Sequence, residues 1–166
     1  MVLVRILKFP DKVLLTPCVE VTQFGPELMV ILRSMIHTML EAKGIGLAAN
    51  QVGLNIRAIV VMDEFHHKYL MMNPEIIQKS KIISTLEEGC LSAPGERLYT
   101  GNRYSWVNVK YHDEEGIIRT ALFGGITSVC VQHEIEHLSG KAFFQAKSIS
   151  KAKRQEICKR WGLKVK

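Results

Sequence analysis

Ile126, Val129, Cys130, His133 and His137 recur at the three- and four-residue spacing of a single helix face, between Gly124-Gly125 and Gly140. Two imidazoles that continue an apolar stripe turn inward with it, and Glu134 stands directly beside the first of them. Buried imidazoles and a buried carboxylate are costly unless they find partners. A chain carrying this stripe is therefore expected to pack its other elements around this helix, where its polar groups must find partners.

The remaining elements can enclose such a helix. Leu28, Ile31, Leu32, Met35, Ile36, Met39 and Leu40 predict an amphipathic helix over residues 26–43, with Pro26 suited to its start and Gly44 to its end. Residues 56–62 and 69–72 read as short strands, the second closed by Asn73-Pro74. Trp106, Val107, Val109 and Tyr111 predict a strand that turns at Asp113-Glu114-Glu115-Gly116 and pairs back through residues 117–122 as a hairpin. A last helix is expected from Ser148 to about Trp161, with Ser148 or Ser150 as its N-cap. Helix, then mostly strands, then two helices favours α+β over a regularly alternating α/β sheet. With no repeat and no Gly/Ser/Pro linker, the expectation is one catalytic domain over residues 1–166. In it, antiparallel or mixed strands pack around the central helix, flanked by an N-terminal and a C-terminal helix.

Composition excludes several classes. At 166 residues, 47% hydrophobic and 23% charged, the chain can bury a real core. No apolar run approaches the ~20 residues of a membrane-spanning helix. The opening Met1-Val2-Leu3-Val4-Arg5 has neither the order of a secretory signal nor the Arg- and Ser-rich character of an organelle leader, so a cytoplasmic location is expected. Cys18, Cys90, Cys130 and Cys158 are widely spaced, which argues for reduced thiols, core fillers or ligands rather than a disulfide framework. The net charge of +6 is uneven. Residues 146–166 hold eight basic residues and one acid, Glu156, while residues 1–145 hold fourteen basic and fifteen acidic ones.

His133-Glu134-Ile135-Glu136-His137 is an H-E-x-x-H motif. Histidines four apart project from successive turns of one face and can bind a single metal ion, with Glu134 placed to act as general base on a metal-activated water. Two imidazoles leave a catalytic centre one protein ligand short. Cys90, Cys130, Glu136 and the downstream Glu156 are the candidates. Cys130 lies one turn before His133 in the same row, and Glu156 is distant, so Cys90 is favoured; a core thiol is the alternative reading of it. Gly44-Ile45-Gly46-Leu47-Ala48-Ala49-Asn50-Gln51 is rich in small residues and leaves room for an extended peptide to add as a strand, with the Gln51 amide free to reach a carbonyl. A helix C-cap followed by a small-residue packing turn would explain the same residues.

Taken together, residues 44–51, Glu88-Gly89-Cys90-Leu91-Ser92 and Gln132-His133-Glu134-Ile135-Glu136-His137-Leu138 resemble, in order and separation, the three signature motifs of the peptide deformylases. The similarity extends from Leu7-Lys8-Phe9-Pro10-Asp11 to the terminal helix. The resemblance implies hydrolysis of the formyl group from the N-terminal methionine of nascent polypeptides. It implies one divalent ion on Cys90, His133 and His137, typically Fe²⁺, with Ni²⁺, Co²⁺ or Zn²⁺ as substitutes. Glu134 would take the proton from the attacking water, and Gln51 and the Leu91 N–H would stabilise the oxyanion. Gly46 and Gly89 would flank the peptide, and Ile45, Leu86, Ile126, Val129 and Cys130 would line the methionine pocket.

Two departures stand out. Glu136 occupies a position where the family usually has Asp, and residues 95–103 look unusual and one residue longer than in common members. Two other functions fit parts of the sequence: a zinc metallopeptidase using the same H-E-x-x-H, and a metal-stabilised module docked on nucleic acid through the basic tail. A deformylase with such a tail would be expected to meet the ribosome through it, by phosphate contacts.

Overall fold

The computed structural model describes residues 3–164, so Met1 and Val2 of the opening and Lys166 of the basic tail lie outside the described residues. The elements run α1 (Pro26–Glu41), β1 (Gly46–Ala48), β2 (Ala58–Met62), β3 (Lys68–Lys79), β4 (Glu88–Cys90), β5 (Ala93–Leu98), β6 (Trp106–His112), β7 (Ile118–Gly124), α2 (Gly125–His137) and α3 (Lys151–Arg160). This is the expected α+β order. Strands β1-β2-β3-β6-β7 form one antiparallel sheet in that spatial order, and β4 pairs with β5 in a second.

The alternation along β2 sorts the core. Ala58 and Val60 face α1, packing with Leu28, Leu32, Met35 and Met39. Ile59 and Val61 face α2, packing with Cys130, Val131 and Leu138. A strand buried on both faces reads as an unbroken apolar run, as Ala58–Met62 does. Each fully buried Leu, Ile or Met on these faces contributes about 1.5–3 kcal/mol. A third cluster joins Phe9, Leu14, Cys90, Ala93, Phe143, Phe144 and Ile157, where β4–β5 meets α3. Thus α2 lies between the main sheet and the small one, with its inward stripe beside Cys90.

Several expected boundaries move. Asn73-Pro74 does not close β3; the strand bulges there, pairing with β2 up to Met72 and with β6 from Glu75 onward. Asn73 takes φ 51°, its N–H bonds Arg57 O at 2.7 Å, and its side chain bonds both backbone groups of Val21, so the bulge is held from outside the ladder. The left-handed turn after α1 falls on Lys43 (φ 55°) rather than on Gly44. The last helix starts at Lys151, capped by Ser150, whose hydroxyl accepts from Lys153 N–H; Ser148 lies before it and donates its hydroxyl to Thr100 O. Cys90 stands at the end of β4. Past α2 the chain turns at Gly140 (φ 67°), where a Cβ would sit 2.7 Å from the backbone of Leu15.

Candidate metal centre

His133 and His137 leave successive turns of α2 with their Nε2 atoms 3.1 Å apart, and Cys90 Sγ lies 3.1 Å from His137 Nε2. The three donor atoms fall within 4.8 Å of one another, and all three residues are buried. Lone pairs this close repel unless a proton or a cation lies among them. Burial works against charging either imidazole, yet Cys90 and Glu88 push the His133 pKa well up, while burial and His133 push that of His137 well down. A convergent, buried N₂S set of this kind matches the donor chemistry of a transition-metal site with an open position.

A buried ion pair orients the first histidine. Glu88 Oε2 accepts from His133 Nδ1 at 2.6 Å, and Arg103 grips the same carboxylate with Nε and Nη2, each at 2.7 Å. Burial would raise the Glu88 pKa, but the bonds from His133 and Arg103 bring it down to about 2. The carboxylate thus stays ionised and fixes the proton of His133 on Nδ1, leaving Nε2 toward the centre. Arg103 Nη2 also reaches Glu136 Oε2 at 2.6 Å. The two departures noted in the sequence therefore meet: the longer Glu136 and the end of the unusual 95–103 segment form one contact. Phe9 stacks on His137 with ring centroids 6.1 Å apart, and Phe143 lies 5.2 Å from the His133 ring. Asn50 Nδ2 donates to His137 O at 2.7 Å.

Glu134 is buried beside this centre, and burial raises its pKa to about 7. Its Oε2 has no hydrogen-bond partner among the described residues. The close approach of β1 makes this possible. A Cβ on Gly46 would stand 2.4 Å from Cys130 Sγ and 2.7 Å from Glu134 Oε1, so any side chain there would displace the carboxylate or push β1 off α2. Gln51 follows on a 3₁₀ turn, its Oε1 accepting from Ala48 N–H at 2.8 Å while its Nε2 points to Ser92 Oγ at 3.1 Å and Cys90 Sγ at 3.6 Å.

A cleft of about 700 Å³ opens onto the centre. Of the residues singled out in the sequence, Ile45, Gly46, Gly89, Cys90, Leu91, Ile126, Val129, Cys130, His133 and Glu134 line it, while Gln51 and His137 lie just behind. Leu86 does not line it. Its N–H is turned onto Ser84 Oγ and its side chain is 41% exposed; the neighbouring Glu87 reaches the cleft instead. The sequence reading gave no role to Glu88, Arg103, Asn50 or Phe9. A ligating imidazole commonly gives its second N–H to a carboxylate, which pointed to an acid without saying which of sixteen.

Comparison with known proteins agrees with this geometry. The family described as polypeptide deformylase matches residues 3–155. Peptide deformylase 1 of Shewanella oneidensis is 40% identical over 160 residues, covering 95% of this chain and 92% of that protein. The crystal structure of a peptide deformylase from Synechococcus elongatus in complex with actinonin superposes with TM-score 0.87 at 34% identity, covering 98% of this chain and 87% of that one. The peptide deformylase of Ehrlichia chaffeensis, also in complex with actinonin, gives TM-score 0.89 at 33% identity over 96% of each chain. On this match in sequence and fold, the chain belongs to the polypeptide deformylase family.

Proposed function

We propose that this protein removes the formyl group from the N-terminal formyl-methionine of newly synthesised polypeptides, releasing formate, as one catalytic domain over residues 1–166. The observation that carries the reading is the convergence of Cys90, His133 and His137 beside a partnerless carboxylate oxygen of Glu134, at the head of a cleft between two strands. A divalent ion held by Cys90 Sγ and the two Nε2 atoms would supply an activated water and polarise the formyl carbonyl. Glu134 receives the proton of the attacking water at Oε2 and passes it to the leaving amine. A buried carboxylate with a pKa near 7 is matched to that exchange. Gln51 Nε2, which gives one hydrogen to Ser92 Oγ and turns the other from Cys90 Sγ to the substrate, and the Leu91 N–H meet the developing oxyanion, a donor role that can be worth ~3–4 kcal/mol.

The substrate's backbone lies between β1 and β4. Gly46 and Gly89 offer main-chain groups without side chains in the way, and β1 is an edge of its sheet. Ile45, Ile126, Val129 and Cys130 form the methionine pocket. Formyl-Met peptide should turn over and acetyl-Met peptide poorly, because the space at the centre admits a hydrogen on the carbonyl more readily than a methyl group. Equal rates on the two, or cleavage of internal bonds in unformylated peptides as a metallopeptidase would give, would overturn the reading.

Fe²⁺ is the resident ion proposed for this donor set, with Ni²⁺, Co²⁺ and Zn²⁺ as substitutes. In aerated buffer the Fe²⁺ form should lose activity faster than the Ni²⁺ form through oxidation of the ion or of Cys90; equal half-lives would count against iron. No helix among the described residues is long and apolar enough to cross a membrane, and we place the protein in the cytoplasm with its nascent-chain substrate. The exposed Lys147, Lys151 and Lys159 would hold it near the ribosome through phosphate contacts. Ile157 on α3 packs in the same cluster as Cys90, so deleting the tail would disturb the centre. Reversing these three lysines to Glu is the cleaner test, and unchanged ribosome co-sedimentation across salt concentrations would refute the tail's role.

A further inference from the structure

Three consecutive residues near the N-terminus bind parts of all three motifs. Leu7 N–H donates to Gln51 O at 2.7 Å, Phe9 N–H donates to Ser92 O at 3.1 Å, and the Phe9 ring stacks on His137. Between them, the Lys8 ammonium, on the wall of the cleft, donates to Leu91 O. That carbonyl belongs to the same peptide unit as the Ser92 N–H, which in turn donates to Cys90 Sγ at 3.4 Å. A cation on the oxygen of an amide draws electron density toward it and makes the N–H at the other end a stronger donor. A hydrogen bond made by an ionised donor is roughly twice as strong as a neutral one.

We infer that Lys8 is a positioning residue for the metal centre, acting through the Leu91–Ser92 peptide unit on Cys90 Sγ and fixing the turn that presents the Leu91 N–H. This rests on the reading of Cys90 as a ligand. Lys8 touches neither the ion site nor the reacting atoms; its charge reaches the sulfur through one peptide unit. Two consequences follow. The thiolate is a weaker electron donor with Lys8 in place than without it. The Leu91 N–H is also held where the oxyanion forms, so its loss should fall on the transition state rather than on substrate binding.

The test uses the full chain loaded with Co²⁺, whose thiolate-to-metal absorption band in the near ultraviolet reports the donor strength of Cys90. The parent should show the band and Cys90→Ser should lose it. In Lys8→Met the band should move to longer wavelength, and Lys8→Arg should restore it. Lys8→Gln, a neutral polar side chain one atom shorter, should also be shifted, which keeps the test open if Lys8→Met folds poorly. On formyl-Met peptide, Lys8→Met should lower kcat roughly 3–10-fold with KM nearly unchanged. A band that survives Cys90→Ser would overturn the ligand reading itself. A band lost in Cys90→Ser but unmoved in both neutral Lys8 variants would leave that reading standing and overturn the role of Lys8.

Discussion

Two regions of this molecule are dense in charge, and they use it in opposite ways. Around α2, Glu88, Arg103, His133 and Glu134 are each only about 5% exposed, and the first three are locked by bonds of 2.6–2.7 Å. On α3, Lys153 and Arg160 pair with Glu156 at 3.0 and 2.8 Å, with the side chains about half exposed. The distances differ little; the solvent differs greatly. Water screens the α3 pairs, while Glu88, Arg103 and His133 must satisfy one another's charges away from water. Charge packed at one site fixes tautomers and proton positions, and charge spread on the other stays solvated.

The comparison breaks most sharply at the centre itself. Stripping the ion with a chelator should abolish formate release, and adding back Fe²⁺, Ni²⁺ or Co²⁺ should restore it. Cys90→Ser should weaken metal retention, read by metal analysis after dialysis. Activity that survives complete metal removal would contradict the account.

Arg103→Met comes next. It strands the Glu88 carboxylate in a buried site, a change that typically costs 3–5 kcal/mol, measured by denaturant unfolding. A loss below about 1 kcal/mol would mean that the bonds Glu88 already accepts from Thr100 and His133 satisfy it without Arg103. Glu136→Asp should be milder. Shortening that carboxylate weakens one of the two carboxylate contacts of Arg103 but leaves the Glu88 grip intact, for a loss of about 1 kcal/mol. At the other extreme, Lys153→Ala on α3 should leave Tm unchanged within error. A clear drop there would erase the contrast between the two regions.

How much of this could be read before the structure depends on where the partners lie. The helix 26–43, the hairpin ending near Leu122 and the inward stripe of α2 were legible because periodicity is local, and each sits within a few residues of its expected place. The short strands β4 and β5 carry no period, and their existence comes from pairing with each other beside α2. The strand through Asn73-Pro74 was hidden because its bulge is held by Arg57 and Val21, well away in sequence. In the site, the row of His133 and His137 on α2 was visible from spacing, but Glu88 was not distinguishable as the partner of His133, 45 residues away, nor Arg103 as the cation that keeps it ionised. Gly46 could be read as small, but not that a Cβ there would strike Cys130 and Glu134. Leu86 followed from the resemblance alone, and the turn at Ser84 carries it out of the cleft lining.

The central claim is that Glu134 moves the proton while the three donors of α2 and β4 hold the ion. It is tested most directly by measuring kcat and metal content together in Glu134→Gln with saturating metal, on formyl-Met peptide. The account predicts about one ion per chain retained with kcat lower by on the order of 10²–10⁴. Near-normal turnover in the metal-loaded variant would contradict it.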